Sequence, residues 1–302
     1  MPSVRVLFES AGLQVGTFRC PPGDPAWRIE NTVGPGYHVA FPGPPVFIAQ
    51  AGAAPVVANP NHAIFYDADQ VYRRGLLSDR GDAATFIAAA DDALRDVLGE
   101  IDPERATTDR LTFGFVEGPV AARTHVAQRL LVEHLLRSHP PDALYVQESA
   151  VRILSDAVAA AIDAHAARSS AAVAATDARH QSLVEATKEV LSRRYADSLD
   201  LPALASLVEA SPFHLARVFR GRTGSTIHAY RTQLRLRLAF DRVADPREEL
   251  TGIALDMGFA SHSHFTDTFR RAFAMSPSEF RRAIGARHPS PRSRLALGGA
   301  TL

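Results

Sequence analysis

The sequence predicts an α+β multidomain protein whose N-terminal half is rich in β-strands and whose C-terminal half is helical. Three observations support this division. Short apolar runs bounded by Pro- and Gly-rich turns fill residues 1–75, the composition turns helical from Pro119, and a 50-residue pattern repeats in the last third of the chain. Many short strands favour a sandwich or a barrel. A repeat of this length indicates one supersecondary unit used twice.

Composition and charge limit the function classes. Of the 302 residues, 46% are hydrophobic and 22% are charged, which is typical of a globular chain. The only cysteine, Cys20, excludes an internal disulfide and suits a reducing compartment. No apolar run approaches the roughly 18 residues of a membrane span, so we expect a cytoplasmic protein with no membrane partner.

The net charge of zero hides an asymmetry between the two halves. Residues 1–181 hold 15 Lys and Arg against 21 Asp and Glu, whereas residues 182–302 hold 18 against 12. A basic region beside an acidic one favours a nucleic-acid-binding domain fused to another module.

Apolar and β-branched runs predict the strands of the N-terminal region, each bounded by turn signals such as Gly34-Pro35-Gly36. The predicted strands include Val4–Phe8, Leu13–Phe18, Val46–Ile48, Ala63–Tyr66 and Leu111–Val116. A short helix is predicted over Ala88–Gly99, before the last of these strands.

Two longer helices are predicted over Val120–Arg137 and Tyr145–Ala167. On the second, a stripe recurs at intervals of three and four residues, formed by Val151, Leu154, Val158, Ala161 and His165. The stripe is too short to establish a coiled coil, so it either packs against the β-rich region or forms the seam of a dimer. The Ala- and Ser-rich stretch after this helix is predicted as a linker.

The strongest pattern is the repeat in the basic region. Its matching pairs, each 50 residues apart, include Ser211/Ser261, His214/His264, Phe219/Phe269, Arg220/Arg270, Tyr230/Phe280 and Arg231/Arg281. Each copy is predicted to be two short helices joined by a tight turn. Asp200 and Ser211 are the N-caps expected in the first copy, and Gly258 forms the turn of the second. This is the helix-turn-helix pattern.

The second helix of each copy has one apolar and one outward face. The outward residues are Phe213, Ala216, Arg217 and Arg220 in the first copy, and His262, Ser263, Thr266, Asp267 and Arg270 in the second. A helix with such a face fits the major groove, where Arg and His can donate to guanine. The segment Ile227–Val243 is predicted as one connecting helix of about 25 Å. That length sets the two recognition helices near the ~34 Å separation of successive major grooves.

These residues resemble the AraC/XylS family of bacterial transcription regulators. The motifs that carry the resemblance are Gly258-Phe259-Ala260-Ser261-His262-Ser263-His264-Phe265, Phe269-Arg270-Arg271-Ala272-Phe273 and Ser276-Pro277-Ser278-Glu279-Phe280-Arg281. The resemblance covers about residues 182–284. It implies a seven-helix domain of two helix-turn-helix units that binds double-stranded DNA through the major groove.

The resemblance also implies which residues contact DNA. They are Phe213, His214, Ala216, Arg217, Arg220, Ser261, His262, Ser263, Thr266, Asp267 and Arg270. Two positions depart from the family pattern. Glu209 stands where the turn glycine is usual, and a left-handed backbone there would cost about 1 kcal/mol. Asp267 stands where a basic residue is common, so we expect base reading by the first unit more than by the second.

The N-terminal half is similar in architecture to the cupin-like sensory domains of this family, which bind a small effector and dimerise. The residues expected to line an effector pocket are Trp27, His38, Phe41, Tyr66, Tyr72 and Arg73. The predicted domains are 1–118 (β-rich, cupin-like barrel), 119–167 (helical, for dimerisation or packing), 168–181 (linker), 182–287 (DNA-binding) and 288–302 (flexible tail).

The sequence therefore predicts a sequence-specific transcription regulator that acts as a homodimer, with RNA polymerase as a further candidate partner. Activation is taken as the expectation, and repression stays open as the alternative. We expect no cofactor, metal or catalytic residue. Two alternatives stay open. One is an effector-independent architectural DNA-binding protein. The other is a cupin-type metal enzyme domain fused to a DNA-binding domain, although His38 and His62 lack the close histidine partner that such a metal site needs.

Overall fold

The computed structural model describes residues 2–10, 12–137, 140–169 and 174–285, with the backbone alone for 168–169 and 174–176. The chain divides into two compact units, Met1–Leu238 and Ala239–Leu302. The predicted tail, 288–302, lies outside the described residues. None of the described helices has both the length and the apolar character that crossing a lipid bilayer requires.

The first unit begins with antiparallel strands arranged in two sheets. The strands are β1 (Ser3–Ser10), β2 (Leu13–Cys20), β3 (Asn31–Thr32), β4 (Tyr37–Pro42), β5 (Val46–Gln50), β6 (Val56–Ala58), β7 (His62–Tyr66), β8 (Val71–Leu76), β9 (Asp82–Ala89) and β10 (Glu117–Pro119). The larger sheet has the order β1-β2-β9-β4-β7-β10, and the smaller sheet has the order β3-β8-β5-β6. A short 3-10 helix, Pro25–Arg28, precedes β3.

The two sheets do not close into the cupin-like barrel predicted from the sequence. Among the described residues no strand pair joins one sheet to the other, because β1 and β10 end the larger sheet while β3 and β6 end the smaller one. The β-rich character of this region is confirmed, but the strands form an open sandwich. The predicted strand over Leu111–Val116 is irregular chain, and the pairing with β7 begins only at Glu117.

The helices of the first unit follow the strands. They are α1 (Asp91–Ile101), α2 (Pro103–Ala106), α3 (Ala122–Arg137), α4 (Ala143–Ser169), α5 (Ala174–Arg193), α6 (Leu201–Leu207), α7 (Pro212–Thr223) and α8 (Ile227–Leu238). Residues 174–181, predicted as part of the linker, form the first turns of α5. On α4, Leu154, Val158 and Ala161 are fully buried in the core beneath the larger sheet. This part of the stripe therefore packs against the β-rich region.

The second unit is built from short helices around an aromatic core. They are α9 (Phe240–Ala244), α10 (Leu250–Asp256), α11 (His262–Phe273) and α12 (Pro277–Gly285). The single connecting helix predicted over 227–243 is thus two helices, α8 and α9, interrupted at Ala239. The boundary between the two compact units falls at the same place, inside the region predicted as one DNA-binding domain.

Candidate nucleic-acid interface and sheet cavity

The first helix-turn-helix unit consists of α6 and α7. Asp200 caps α6 by accepting a hydrogen bond from the Ala203 amide at 2.8 Å, and Ser211 caps α7 through the His214 amide at 3.4 Å. The turn between them closes through the Ala210 amide, which donates to the Ala205 carbonyl at 3.0 Å. Each short helix thus has a side chain that satisfies its free amides, which fixes where it begins.

The second unit repeats the turn and the serine cap with α10 and α11, whereas Glu249, at the N-cap of α10, makes no side-chain cap hydrogen bond. The Phe259 amide donates to the Ala254 carbonyl at 3.0 Å, and the Ser261 hydroxyl accepts from the His264 amide at 3.1 Å. Both Ala205 and Ala254 are buried, because the crossing of two short helices leaves room for only a small side chain. The helix-turn-helix prediction is confirmed for both copies.

The two turns require the same backbone conformation from different residues. Gly258 has φ of 76° and Glu209 has φ of 52°, so both lie in the left-handed region. Glycine adopts this conformation without steric cost, whereas a side chain pays about 1 kcal/mol. The departure from the family pattern at Glu209 therefore leaves the turn intact but strained.

The outer face of α7 is open to solvent. Phe213 is 92% exposed at the start of this helix, while Leu215 and Phe219 are fully buried on the opposite face. Arg217 and Arg220 are also exposed on the outer face, and Ala216 is half-buried. An exposed aromatic ring beside two arginines is unusual for a helix that faces only water.

The outer face of α11 is exposed and polar. Its sequence-predicted contact residues are exposed except for half-buried Thr266, and they are His262, Ser263, Thr266, Asp267 and Arg270. Thr266 lies 3.4 Å from Nε2 of His262. Arg270 lies 3.9 Å from Glu279, a loose pair between exposed side chains that leaves the guanidinium available.

Two predicted contact residues have structural tasks in the described chain. The Ser261 hydroxyl is engaged in the cap of α11. His214 is half-buried, with its ring 5.6 Å from that of His180 and its Nδ1 3.5 Å from Arg217. Ser261 therefore fixes where α11 begins, and His214 packs against the ring of His180 on α5.

A cavity of about 470 Å³ lies between the two sheets of the β-rich region. Its wall comes from alternate residues on the inner faces of both sheets, including Phe18, His38, Ala40, Ile48, Ala58, Ile64, Tyr66, Tyr72, Arg74, Asp82 and Phe86. A mostly apolar cavity of this size with a few polar groups has the character of a small-molecule site.

Three of the six residues predicted for an effector pocket line this cavity, namely His38, Tyr66 and Tyr72. Phe41 points to the other face of the larger sheet and is buried in the core shared with the helices. Arg73 is exposed and pairs with Glu30 at 3.0 Å. Trp27 lies on the 3-10 helix, packs against the smaller sheet and donates to the Pro21 carbonyl at 2.7 Å.

Sequence reasoning missed the buried ion pair of the cavity. Arg74 and Asp82 meet at 3.3 Å with side chains only 2% and 8% exposed. Arg74 also donates to the Tyr72 hydroxyl and stacks 4.3 Å over the Phe18 ring. Burial raises the pKa of Asp82 to about 6, although the charge of Arg74 opposes this. Successive residues of a strand point to opposite faces, so the alternation along β8 could have indicated that Arg74 points inward where Arg73 points outward.

A buried polar cluster joins the β-rich region to the first helix-turn-helix unit within Met1–Leu238. We call it the junction, formed by Asn59, Asn61, His62, Glu117, Glu185, Lys188, Ser192, Tyr230 and Arg237. Lys188, the only lysine of the chain, donates to Glu117 at 2.8 and 2.9 Å and to Glu185 at 3.0 Å. Glu185 also accepts from the Val57 amide at 2.6 Å. Two glutamates on different elements thus share one ammonium group.

The remaining junction contacts involve α8. Asn59 donates to the Tyr230 hydroxyl at 2.9 Å, and Asn61 donates to the Tyr230 carbonyl at 3.0 Å. Arg237 donates to the carbonyls of Pro60 at 2.7 Å and Val120 at 2.5 Å. The loop between β6 and β7 therefore supplies most of the groups that bind α8.

Burial and charge act against each other in the junction. Burial disfavours the ammonium of Lys188, but the carboxylates of Glu117 and Glu185 outweigh it and hold the pKa of Lys188 above its ordinary value. Burial raises the pKa of Glu185 and lowers that of Arg237 to about 10. Removing one partner of a buried ion pair leaves the other charge unpaired, which is costly. These charges therefore hold the β-rich region and the first helix-turn-helix unit in one arrangement.

Among the described residues, no three His, Cys, Asp or Glu side chains lie close enough together to hold a metal ion.

Comparisons with known proteins agree with the helix-turn-helix geometry. Residues 204–283 match the family described as a helix-turn-helix domain. The chain is 30% identical over 105 residues to the regulatory protein SoxS of Salmonella typhimurium, covering 35% of this chain and 98% of SoxS. It is 35% identical over 88 residues to the HTH-type transcriptional regulator GlxA of Rhizobium meliloti, covering 29% of this chain and 27% of GlxA.

A solved structure of a transcriptional regulator from Chromobacterium violaceum, described as containing an AraC-type DNA-binding domain, is also similar. It is 25% identical, covers 37% of this chain and 99% of its own, and has a TM-score of 0.34. The family match, residues 204–283, spans both helix-turn-helix units, and the similarity to SoxS extends over 98% of the length of SoxS. The chain therefore belongs to the AraC/XylS family of DNA-binding transcription regulators.

Proposed function

We propose that this DNA-binding regulator is controlled by a small molecule that binds in the cavity between the two sheets. The observation that carries the proposal is that β6 and β7 serve two purposes. Ala58, Ile64 and Tyr66 on these strands line the cavity. Asn59 and His62, on the loop and at the start of β7, belong to the junction with α5 and α8. A ligand that displaces the cavity wall would therefore act directly on the first helix-turn-helix unit.

The physical requirement is a difference in ligand affinity between two arrangements of the junction. A packed wall responds to a new occupant by moving as a unit, because protein interiors have little free volume. The loop from β6 to β7 is short, and Asn59 and Asn61 at its two ends are held by buried hydrogen bonds to Tyr230. A shift of the strands consequently reaches Tyr230 and Arg237 without passing through solvent-exposed chain.

The experiment uses the single lysine as a reporter. Lys188 is 1% exposed, so an amine-reactive acetylating reagent should modify it only when the junction opens. We would fill the cavity by Ala40→Trp and compare labelling of the Lys188 peptide by mass spectrometry with that of the wild type. A matched control is Ala49→Trp, since Ala49 lies on the opposite face of β5 from the cavity residue Ile48.

We expect the filled cavity to change both Lys188 labelling and DNA affinity, while the control changes neither. Unchanged labelling and unchanged affinity in a folded Ala40→Trp variant would contradict control through the junction. Thermal unfolding of both variants establishes that they are folded.

For DNA we propose that α7 and α11 enter the major groove. On α7 the exposed Phe213, half-buried Ala216 and exposed Arg217 would contact bases, with the Phe213 ring suited to a thymine methyl group and Arg217 to guanine. On α11 the corresponding residues are His262, Ser263, Thr266 and Asp267. Arg220 and Arg270 would contact phosphates, which position the protein without specifying sequence.

Selection of bound sequences from random duplex DNA tests this assignment. The full chain should enrich a motif with two contact blocks about one helical turn apart. Salt-sensitive binding without an enriched motif would instead favour an effector-independent architectural DNA-binding protein.

We also propose that the chain acts as a homodimer that presents DNA-binding regions to paired half-sites, where RNA polymerase would be a further partner. Apolar side chains are exposed on α3 and α4, namely Leu136, Leu144, Tyr145 and Val151. Analytical ultracentrifugation of the wild type and of Leu144→Glu with Val151→Glu measures this. We expect the wild type to be a dimer and the double variant to be a monomer. A monomeric wild type would contradict the proposed homodimer.

A further inference from the structure

We propose that the cavity between the sheets takes an uncharged, mostly apolar molecule carrying one hydroxyl or N–H group, which donates a hydrogen bond to Nε2 of His38. The inference names the ligand class of the site that the proposed function treats as sensory, and in that respect it rests on the proposed function. It excludes organic acids and ammonium compounds as the preferred ligands. Three features of the cavity carry it.

The first feature is the apolar middle of the cavity. Between its polar groups the wall is formed by hydrocarbon and aromatic side chains, including Phe18, Ala40, Ile48, Ile64, Ala84 and Phe86. Affinity in such a space comes from buried apolar surface, and a polar ligand group without a partner would lose its hydration at a cost. A molecule that fills this space is therefore mostly apolar.

The second feature is the protonation of His38. Its Nδ1 lies 3.2 Å from the carbonyl oxygen of Gly36. A carbonyl only accepts, so Nδ1 carries the hydrogen and donates. Burial lowers the pKa of His38, which keeps the ring neutral at physiological pH and leaves a lone pair on Nε2. No hydrogen bond to Nε2 is found within the part of the chain that the structure describes.

His38 is therefore an acceptor in the wall of an apolar cavity. Its ring is held by β4 and by the Phe86 ring at 5.9 Å, so its direction is fixed by packing. An oriented acceptor selects a ligand that carries a donor, because an acceptor facing an acceptor leaves two buried lone pairs without partners.

The third feature is the charge balance. The only close ion pair among the lining residues is Arg74 with Asp82, so the described wall is already neutral. Arg74 is also occupied by the Tyr72 hydroxyl and by the Phe18 ring beneath it. A charged ligand would add a buried charge with no counter-charge, which disfavours its transfer from water into the cavity.

The test compares ligands that share a skeleton and differ in charge. The probes are 2-naphthol with 2-naphthoate, and 1-octanol with octanoate, each titrated into the full-length protein by calorimetry at about pH 7.5, where the acids are ionised. Two skeletons, one flat and one flexible, separate charge from shape. We expect the alcohol of at least one pair to bind about tenfold or more tightly than its acid, the factor expected from one unfavourable buried charge after partial relaxation.

Two variants of His38 isolate the hydrogen bond. His38→Phe keeps a ring of similar size without an acceptor and should lower the affinity for the alcohol about tenfold. His38→Gln retains a side-chain acceptor and should lower that affinity less. Binding of the matched hydrocarbon, naphthalene, should be the same in all three proteins. That control shows whether the variants preserve the cavity.

The inference is overturned if an acid binds as tightly as its alcohol, if His38→Phe leaves the affinity of the alcohol unchanged, or if no alcohol binds at about 1 mM, the weak end of specific affinity. These measurements record binding alone. A ligand that binds as expected but alters neither Lys188 labelling nor DNA affinity would contradict the proposed function and leave the ligand class intact.

Discussion

The two helix-turn-helix units share the serine caps of α7 and α11, their turn geometry and their 50-residue register, but they are stabilised by different surroundings. The first packs a mainly aliphatic core that includes Leu204, Leu215 and Phe219, and it is bonded to the β-rich region through the junction. The second belongs to a separate compact unit, in which the rings of Phe269 and Phe273 surround Phe240 at 5.0 and 4.8 Å.

The difference shows that one supersecondary pattern can be stabilised by two different kinds of contact. Under the proposed function, a change in the β-rich region would reach the first unit through the junction, because buried polar groups are sensitive to small displacements. The second has an aromatic core of its own. Repetition in sequence therefore does not imply equal dependence on the rest of the chain.

The largest effect is expected from Phe269→Ala in the second unit. Phe269 is fully buried between the rings of Phe265 and Phe273, so its removal should destabilise the unit by about 3–5 kcal/mol. Hydrogen exchange followed by mass spectrometry should show loss of protection in α9–α12 alone. Equal loss of protection in α6 and α7 would show that the two units are not independent.

Lys188→Met probes the dependence of the first unit on the junction. The substitution leaves Glu117 and Glu185 buried without a cation, and we expect a loss of about 3–5 kcal/mol. Urea unfolding followed by the fluorescence of Trp27, the only tryptophan, reports on the first compact unit. The control combines Lys188→Met with Glu117→Gln and Glu185→Gln, which should recover much of the stability. If Lys188→Met alone unfolds like the wild type, the junction contributes little to stability.

Arg217→Ala and Asp267→Ala compare the two units as DNA readers. We expect Arg217→Ala to weaken specific binding by about 1–3 kcal/mol and to relax the sequence preference at one position. Asp267→Ala should tighten binding to all sequences, because it removes a negative charge from the face of α11 that we propose enters polyanionic DNA. Competition binding at two salt concentrations measures both. Equal weakening by Arg217→Ala on every sequence would identify a phosphate contact.

The pH dependence of stability should differ between the two compact units. The folded pKa of Asp82, about 6, lies above its ordinary value of 3.8, so protonation favours the folded first unit. Protonation of Asp82 should therefore raise the free energy of unfolding of the first unit by about 1 kcal/mol as the pH falls from about 7 to about 5. In the second unit, hydrogen bonds lower the pKa values of Asp245 and Glu279, so their stabilising contribution is instead lost as the pH falls.

The measurement is the stability of the first unit, from Trp27 fluorescence in urea, at both pH values for the wild type and for Asp82→Asn. The absolute offset between the two proteins includes the cost of leaving Arg74 unpaired. Only the change of that offset with pH reports the titration of Asp82. A constant offset would contradict a raised pKa.

The smallest effect concerns the turns. Glu209→Gly should stabilise the first unit by about 1 kcal/mol or less, since it removes left-handed strain but adds freedom to the unfolded chain. Gly258→Ala should destabilise the second unit by a similar amount. Thermal unfolding of the two variants gives the comparison, and a destabilised Glu209→Gly would mean that the Glu209 side chain makes a compensating contact.

The repeat, the caps and the turns could be predicted from sequence because each depends on residues within a few positions of one another. Ser211 and Ser261 cap their helices, and the two turns adopt the same backbone conformation. The family follows from the same local motifs, so it also could be predicted from the residues alone. Helix-turn-helix geometry is local, and local patterns survive without knowledge of the rest of the fold.

The cavity could be predicted only in part. His38, Tyr66 and Tyr72 were expected in a pocket and line it, whereas Phe41 lies on the opposite face of the same strand as Ala40. Successive residues on a strand point to opposite sides, so an error of one position moves a side chain from the cavity to the core. Which face meets the second sheet is decided by strand pairing across the chain.

The sequence by itself determined that this chain contains two helix-turn-helix units of the AraC/XylS family, because short-range capping and apolar spacing specify them. Only the tertiary structure decided that the β-rich region is an open sandwich and that the unique lysine joins it to the first unit. Lys188 and Glu117 are 71 positions apart, and Asn59 and Tyr230 are 171 apart. Contacts over such separations arise from the packing of whole elements, which no local pattern of residues encodes.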